Sequence, residues 1–304
     1  MTARTACPAG LEQGAERERR SLVRTALVAL AASVALAAGC GRRKAAPSAK
    51  SATAPAYEAA REVVGEIQVY VAHDYSEALP HLVRLFKEKH PNVTVNAKAG
   101  DARRLVAEIA DGARPDVLMS LGDVEVAPLE AAGLLRGRKD FCFITIGIIT
   151  ARGNPLHVNS LEDLAADRVG SIALGPDDTS IGRYAISLLK DQHVWEAVEK
   201  KVTMADRRSD VLTATADGRA DVCLAYGAEL RRRPPGGAVL RERLQLVTDL
   251  TARYCLKIPC PAVSVRGCAA PELADTFIEF LAEDDAQDVL AKQGFLRLRD
   301  PCCT

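Results

Sequence analysis

The stretch "ALGPDDTSIGRYA", Ala173 to Ala185, decides how the chain is to be read. A short apolar run, Ile172 to Leu174, ends in Gly175-Pro176. Two acids, two hydroxyls and Gly182 follow, and then a helical stripe begins with Tyr184, Ile186, Leu188 and Leu189. Glycine and proline close strands, and small polar residues open helices. A chain that turns so sharply from strand into helix points free backbone N–H groups at whatever lies above the turn. The stretch predicts a βα unit whose turn is either an anion cradle or a helix start capped by Ser180.

The same alternation extends in both directions. "EIQVYVA" (Glu66 to Ala72) alternates like a strand. Asp74 or Ser76 is placed to cap the next helix, whose stripe is Leu79, Leu82, Val83 and Phe86. A second strand, a helix carrying Leu105 and Ile109, the strand "PDVLMSL" and a short helix closed by Gly133 complete a first block. "DFCFITIGIITARG" reads as one long apolar strand, and Ser160 as the cap of a helix. Further strands at "EKKVTMA" and "ADVCLAYGAEL" flank the helix "SDVLTATADG". "RRRPPGGAVLRERL" reads as a loop, "LKIPCPAVSVRG" as a strand returning to the first block, and the C-terminal part as a helix pair with a glycine stop. Two βαβαβ blocks predict an α/β protein of two lobes. Each lobe is a mostly parallel sheet flanked by helices, with a ligand cleft where strands give way to helices.

Composition narrows the function. Lys+Arg and Asp+Glu are both 40 in 304 residues, which gives no bias toward nucleic acid. The chain has no G-x-S-x-G, H-E-x-x-H or P-loop motif. Its five histidines (His73, His81, His90, His157, His193) are scattered, so a binding protein without cofactor is expected rather than an enzyme. The basic "RERRSLVR" and the 14 residues from Ala26 to Gly39 have the pattern of an export signal, too short for a membrane span. Ala37, Ala38 and Gly39 lead into Cys40 and resemble a lipobox with Leu36 one position early, which implies a lipid anchor on Cys40. The Ala-, Ser-, Pro- and Lys-rich run after it reads as a tether. The expected division is 1–39 signal, 40–64 tether, 65–142 with 262–304 lobe 1, and 143–261 lobe 2. Cys142 and Cys223 sit in apolar runs as buried small hydrophobes, while the pairing of Cys255, Cys260, Cys268, Cys302 and Cys303 stays open.

"RGNPLHVNSLEDLAADRVGSIALGPDDTSIGRYA", "VWEAVEKKVTMADRRSDVLTATADGRADVCLAYGAEL" and "FIEFLAEDDAQDVLAKQGFL" together resemble the periplasmic molybdate-binding proteins, over Gly65 to Leu296. The resemblance implies a type II solute-binding fold that delivers molybdate or tungstate to the membrane permease of an ABC importer. Together with the export signal and Cys40, this gives the expectation of a periplasmic, lipid-anchored monomer. It places Ser180 and Ile181 in the anion-cradling loop, Tyr226 as a hydroxyl donor, and Arg208 where a backbone donor faces the anion. In lobe 1, Asp74 and Ala102 fall where the family has ligand serines, with Ser76 and Asp101 one residue away. A carboxylate facing a dianion costs several kcal/mol at intermediate dielectric. Asp74 therefore turns away as a cap, is offset by a cation such as Arg208, or marks a different ligand. The last possibility keeps a resemblance to ferric-iron-binding proteins of the same superfamily, with metal-binding oxygens and nitrogen from His73, Asp74, Tyr75 and Tyr226.

Overall fold

The computed structural model describes residues 64–231, 240–254 and 256–300. The signal, the tether, Cys40, Cys255, Cys302 and Cys303 lie outside the described residues. Helices of nine residues or more are numbered here. The strands are β1 (Gly65–Ala72), β2 (Val93–Gly100), β3 (Val117–Met119), β4 (Leu135–Ile144), β5 (Ile146–Ala151), β6 (Ile172–Leu174), β7 (Val202–Met204), β8 (Val222–Tyr226), β9 (Leu244–Asp249) and β10 (Ile258–Val265). The helices are α1 (Leu79–Lys89), α2 (Ala102–Ala110), α3 (Ser180–Asp191), α4 (Arg208–Ala216), α5 (Pro271–Phe280) and α6 (Asp284–Lys292).

Two five-stranded sheets form, in the orders β2-β1-β3-β10-β4 and β7-β6-β8-β5-β9. In the first sheet β2, β1 and β3 pair in parallel, while β10 runs antiparallel to both β3 and β4. In the second, β7, β6 and β8 pair in parallel, and β5 runs antiparallel to β8 and β9. One strand in each sheet thus opposes the other four, the mostly parallel α/β architecture expected. Ile67, Val69 and Val71 of β1 alternate into a fully buried layer, as a central strand requires. Against it Phe86 of α1 packs edge-on to Phe277 and Phe280 of α5, with ring centroids 5.0 and 5.2 Å apart.

Three local expectations are corrected. "DFCFITIGIITARG" is two strands: Cys142 pairs with Cys260 in the first sheet, and Ile146 with Tyr226 in the second. The chain crosses from one sheet to the other at Thr145, a single buried threonine between two buried apolar runs and too weak a signal to announce the break. The N-cap of α1 is Ala78, with no side-chain cap hydrogen bond, so neither Asp74 nor Ser76 caps it; Pro80 sits in its first turn, where its missing N–H costs nothing. Ser160 accepts a hydrogen bond from Asp163 N, but only a 3₁₀ turn, Glu162–Ala165, follows it. Cys142, Cys223 and Cys260 are buried free thiols, and Cys268 is half-buried and free.

Candidate functional site

The turns that end β1, β2, β3, β6 and β7 converge between the sheets. A cavity of about 310 Å³ lies there, bordered by His73, Asp74, Ala102 and Arg103 on one side and by Thr179 and Arg208 on the other. Asp101 caps α2 by accepting from the N–H groups of Arg103 and Arg104, which places Ala102 at the helix start beside the cavity.

Ser180 is not the cap of α3. Thr179 holds that position and accepts from Gly182 N at 3.4 Å. A Cβ at Gly182 would overlap the carbonyl oxygens of Gly175 and Pro176, so only glycine lets the turn fold this tightly. With capping done by Thr179, Ser180 turns its donors to the carboxylate of Glu125. Ser180 N donates to Oε1 at 3.0 Å, and the Ser180 hydroxyl donates to Oε2. The same hydroxyl accepts from Val124 N at 3.0 Å. Glu125 is buried on the 3₁₀ turn Val124–Val126. Burial pushes its carboxyl above the usual range, and the Ser180 hydroxyl and N–H and the Arg208 charge pull it back only in part.

Arg208 opens α4. Its guanidinium holds both oxygens of Asp74, at 3.0 and 2.7 Å, and is in ion-pair contact with Glu229. Asp74 keeps 7% of its side chain exposed and Arg208 19%, so this is a largely desolvated arrangement. Burial alone would lower the Arg208 charge's stability; Asp74 and the neighbouring Tyr226 and Glu125 reverse that and hold it above its ordinary value. The Arg208 guanidinium carbon lies 5.7 Å from the centre of the Tyr226 ring. Tyr226 is fully buried, and its hydroxyl has no hydrogen-bond partner among the described residues. Burial, and then Glu125, drive its phenol well above the ordinary value, so it stays a neutral donor. Arg103 of α2 and Asp178 of the turn before α3 form another bridge across the cavity, at 2.9 and 2.7 Å.

The structure thus sets Asp74, Ala102 and Arg208 on the cavity wall, with Ser180 behind it through its bonds to Glu125 and Tyr226 beside the Arg208 guanidinium. Ser76 is exposed and does not border the cavity. Ile181 is a core side chain, 1% exposed, so only its backbone is available to a ligand. Tyr75 is excluded as a ligand group. It is buried against Phe295 and donates to the Ser120 carbonyl at 3.0 Å. Sequence reasoning missed Glu125 and Glu229. Their partners lie 55 and 21 positions away, and an acid between valines or after "AYGA" has the look of an exposed turn residue.

The family model for bacterial extracellular solute-binding proteins matches residues 67–296. The chain belongs to this family and is a substrate-binding protein of the ABC-transporter class, which works outside the cytoplasm with a membrane permease. Among curated relatives, YvgL of Bacillus subtilis, named as an ABC transporter substrate-binding lipoprotein, is 23% identical over 75% of this chain and 85% of its own. The molybdate-binding protein ModA of Mycobacterium tuberculosis H37Rv is 25% identical over 85% of this chain and 92% of its own. In fold, the substrate binding domain assigned to a molybdenum ABC transporter of Clostridium difficile matches with TM-score 0.62 at 22% identity, over 77% of this chain and 99% of that one. A ferric binding protein from Campylobacter jejuni matches equally well, with TM-score 0.62 at 14% identity over 77% and 87%. The fold is therefore shared by binders of different ions, and the ligand has to be argued from the site.

Proposed function

We propose that the protein is a lipid-anchored, monomeric binding protein for a tetrahedral oxyanion of the molybdate and tungstate class, with no enzymatic activity. The observation that carries this reading is the bidentate hold of Ser180 on a carboxylate. The start of α3 already binds two anionic oxygens, one by a backbone N–H and one by a hydroxyl. A helix N-terminus adds favourable partial charge there. The unpartnered Tyr226 hydroxyl is a further buried donor, and Arg208 is the cation that offsets Asp74. The likeness to ModA, and the basic–apolar–small pattern ending at Cys40, support the ligand class and the anchor respectively.

The ferric reading is weaker on physical grounds. A hard trivalent cation needs anionic oxygens facing it. Here Asp74 turns both oxygens to a guanidinium, the same guanidinium lies over Tyr226, and Tyr75 is in the core. A thermal-shift panel of molybdate, tungstate, sulfate, phosphate and ferric citrate tests the proposal. Stabilisation by molybdate or tungstate is expected; stabilisation by ferric iron alone would remove the oxyanion reading.

A further inference from the structure

We propose that Glu125 is a tethered anion that occupies the oxyanion site of the empty protein, so that a ligand binds by displacing it and Glu125 sets the affinity of the site. The inference rests on the oxyanion reading above, in which the Glu125 carboxylate only shows what the Ser180 donors can hold, and gives that carboxylate a role of its own.

Glu125 comes from the turn after β3, in the first sheet's half of the cleft; Ser180 belongs to the second. The contact between them therefore spans the cleft. Both carboxylate oxygens are engaged, and the residue is 6% exposed. Gly122 makes the approach possible. At φ +95° it adopts a conformation that a side chain would resist, and a Cβ there would overlap the Ser180 hydroxyl and press on Glu125 Oε2. The backbone is thus shaped to bring this carboxylate onto these donors.

A free oxyanion at the start of α3 needs the same N–H and the same hydroxyl. Two anions cannot share them a few ångströms apart away from water without strong repulsion. The charges around the pair do not remove that conflict. Arg208, reaching from α4, is engaged by Asp74 and Glu229, and Asp123 on the same turn adds a further acid 3.4 Å from the Ser180 hydroxyl. Arg103, across the cavity, is paired with Asp178. Burial also disfavours the charged form of Glu125, so the site holds its own carboxylate at a cost, as a displaceable occupant should be held. A ligand dianion with four oxygens makes more hydrogen bonds than one carboxylate and has Tyr226 as an added donor.

The test is calorimetric titration of sodium molybdate into wild type, Glu125→Gln and Glu125→Ala, each first checked for folding by circular dichroism. Glutamine keeps the shape and loses the charge; alanine empties the site. Both variants are expected to bind at least ten-fold more tightly than wild type. Hydrogen–deuterium exchange on wild type supplies a second readout that needs no variant. Saturating molybdate should raise exchange in the turn 122–126 while protecting the start of α3. Wild type binding molybdate with both variants no tighter, or a turn that becomes more protected, would overturn the displacement proposal and leave the oxyanion reading standing. Failure of wild type and both folded variants to bind any of molybdate, tungstate and sulfate would overturn both.

Discussion

Arg208, at the start of α4, grips Asp74 from the opposite side of the cleft, Nη1 to Oδ1 at 3.0 Å and Nη2 to Oδ2 at 2.7 Å. This pair turns the Asp74 carboxylate, which would otherwise oppose an anion in the cavity, into one half of a cleft-spanning bridge. Two-point guanidinium–carboxylate contacts are directional and largely fix both partners. Arg208 remains paired to Glu229 if Asp74 is lost. Asp74→Ser should therefore leave the fold intact, free one side of the guanidinium, and remove a negative charge from the cavity wall. Oxyanion affinity should rise by about ten-fold, on the order of 1.4 kcal/mol. Calorimetry with molybdate checks it; a fall in affinity would mean that Asp74 is needed at the ligand.

Tyr226→Phe deletes a buried hydroxyl that has no hydrogen-bond partner among the described residues. Because no described residue is hydrogen-bonded to it, stability should hold or rise slightly. Ligand affinity should fall by roughly three-fold to several tens of fold, from a hydrogen bond worth about 0.5–1.5 kcal/mol or somewhat more to a charged partner. Thermal melts and titration of the same sample separate the two effects. Equal affinity in the two proteins would take Tyr226 out of the site.

Gly122→Ala should lower stability by about 1–3 kcal/mol through its left-handed backbone, with added cost from overlap with Ser180. Chemical denaturation measures it. A variant as stable as wild type would mean that the turn carrying Glu125 does not need its observed conformation.

Glu125 also makes stability depend on pH in a defined sense. Its folded pKa is raised by burial, so its contribution is fully present below the unfolded carboxylate value and is lost as pH rises through the raised value. Asp163 works the other way. The Asn159 N–H, with Arg168 and Ser160, lowers its carboxyl, and its contribution fades as pH falls. The overall profile mixes such groups, so the informative quantity is a difference. The melting temperature of Glu125→Gln minus that of wild type should grow from mildly acidic to neutral pH. A flat difference would contradict the buried, charge-disfavouring environment assigned to Glu125.

Much of this architecture is legible in sequence because local rules and global fold agree. The period-2 run of β1, the Gly175-Pro176 turn before α3 and the glycine stops at Gly133, Gly218 and Gly294 each announce themselves, and the three stop glycines have positive φ. What local pattern cannot carry is partnership. The break at Thr145 is invisible because Phe141–Ile144 and Ile146–Ile149 are equally apolar, and only their different sheet partners distinguish them. β9 lies beside a charged run, Arg241 to Arg243, that reads as loop. In the site, Ser180, Arg208 and Tyr226 sit at strand-to-helix turns, where topology puts ligands. Glu125 and Glu229 take their meaning from contacts made far along the chain.

The anchor is tested separately from the cleft. Cys40→Ser, expressed in a lipidating bacterium, should move the protein from the membrane fraction to the soluble one. Equal distribution of both forms would contradict lipidation at Cys40.

The central claim is that the start of α3 is an oxyanion site, and the most direct test is parallel calorimetric titration of the purified wild-type protein with sodium molybdate and with ferric citrate. The account predicts a saturable one-to-one molybdate isotherm and no iron isotherm. A one-to-one ferric isotherm with molybdate ignored would contradict it.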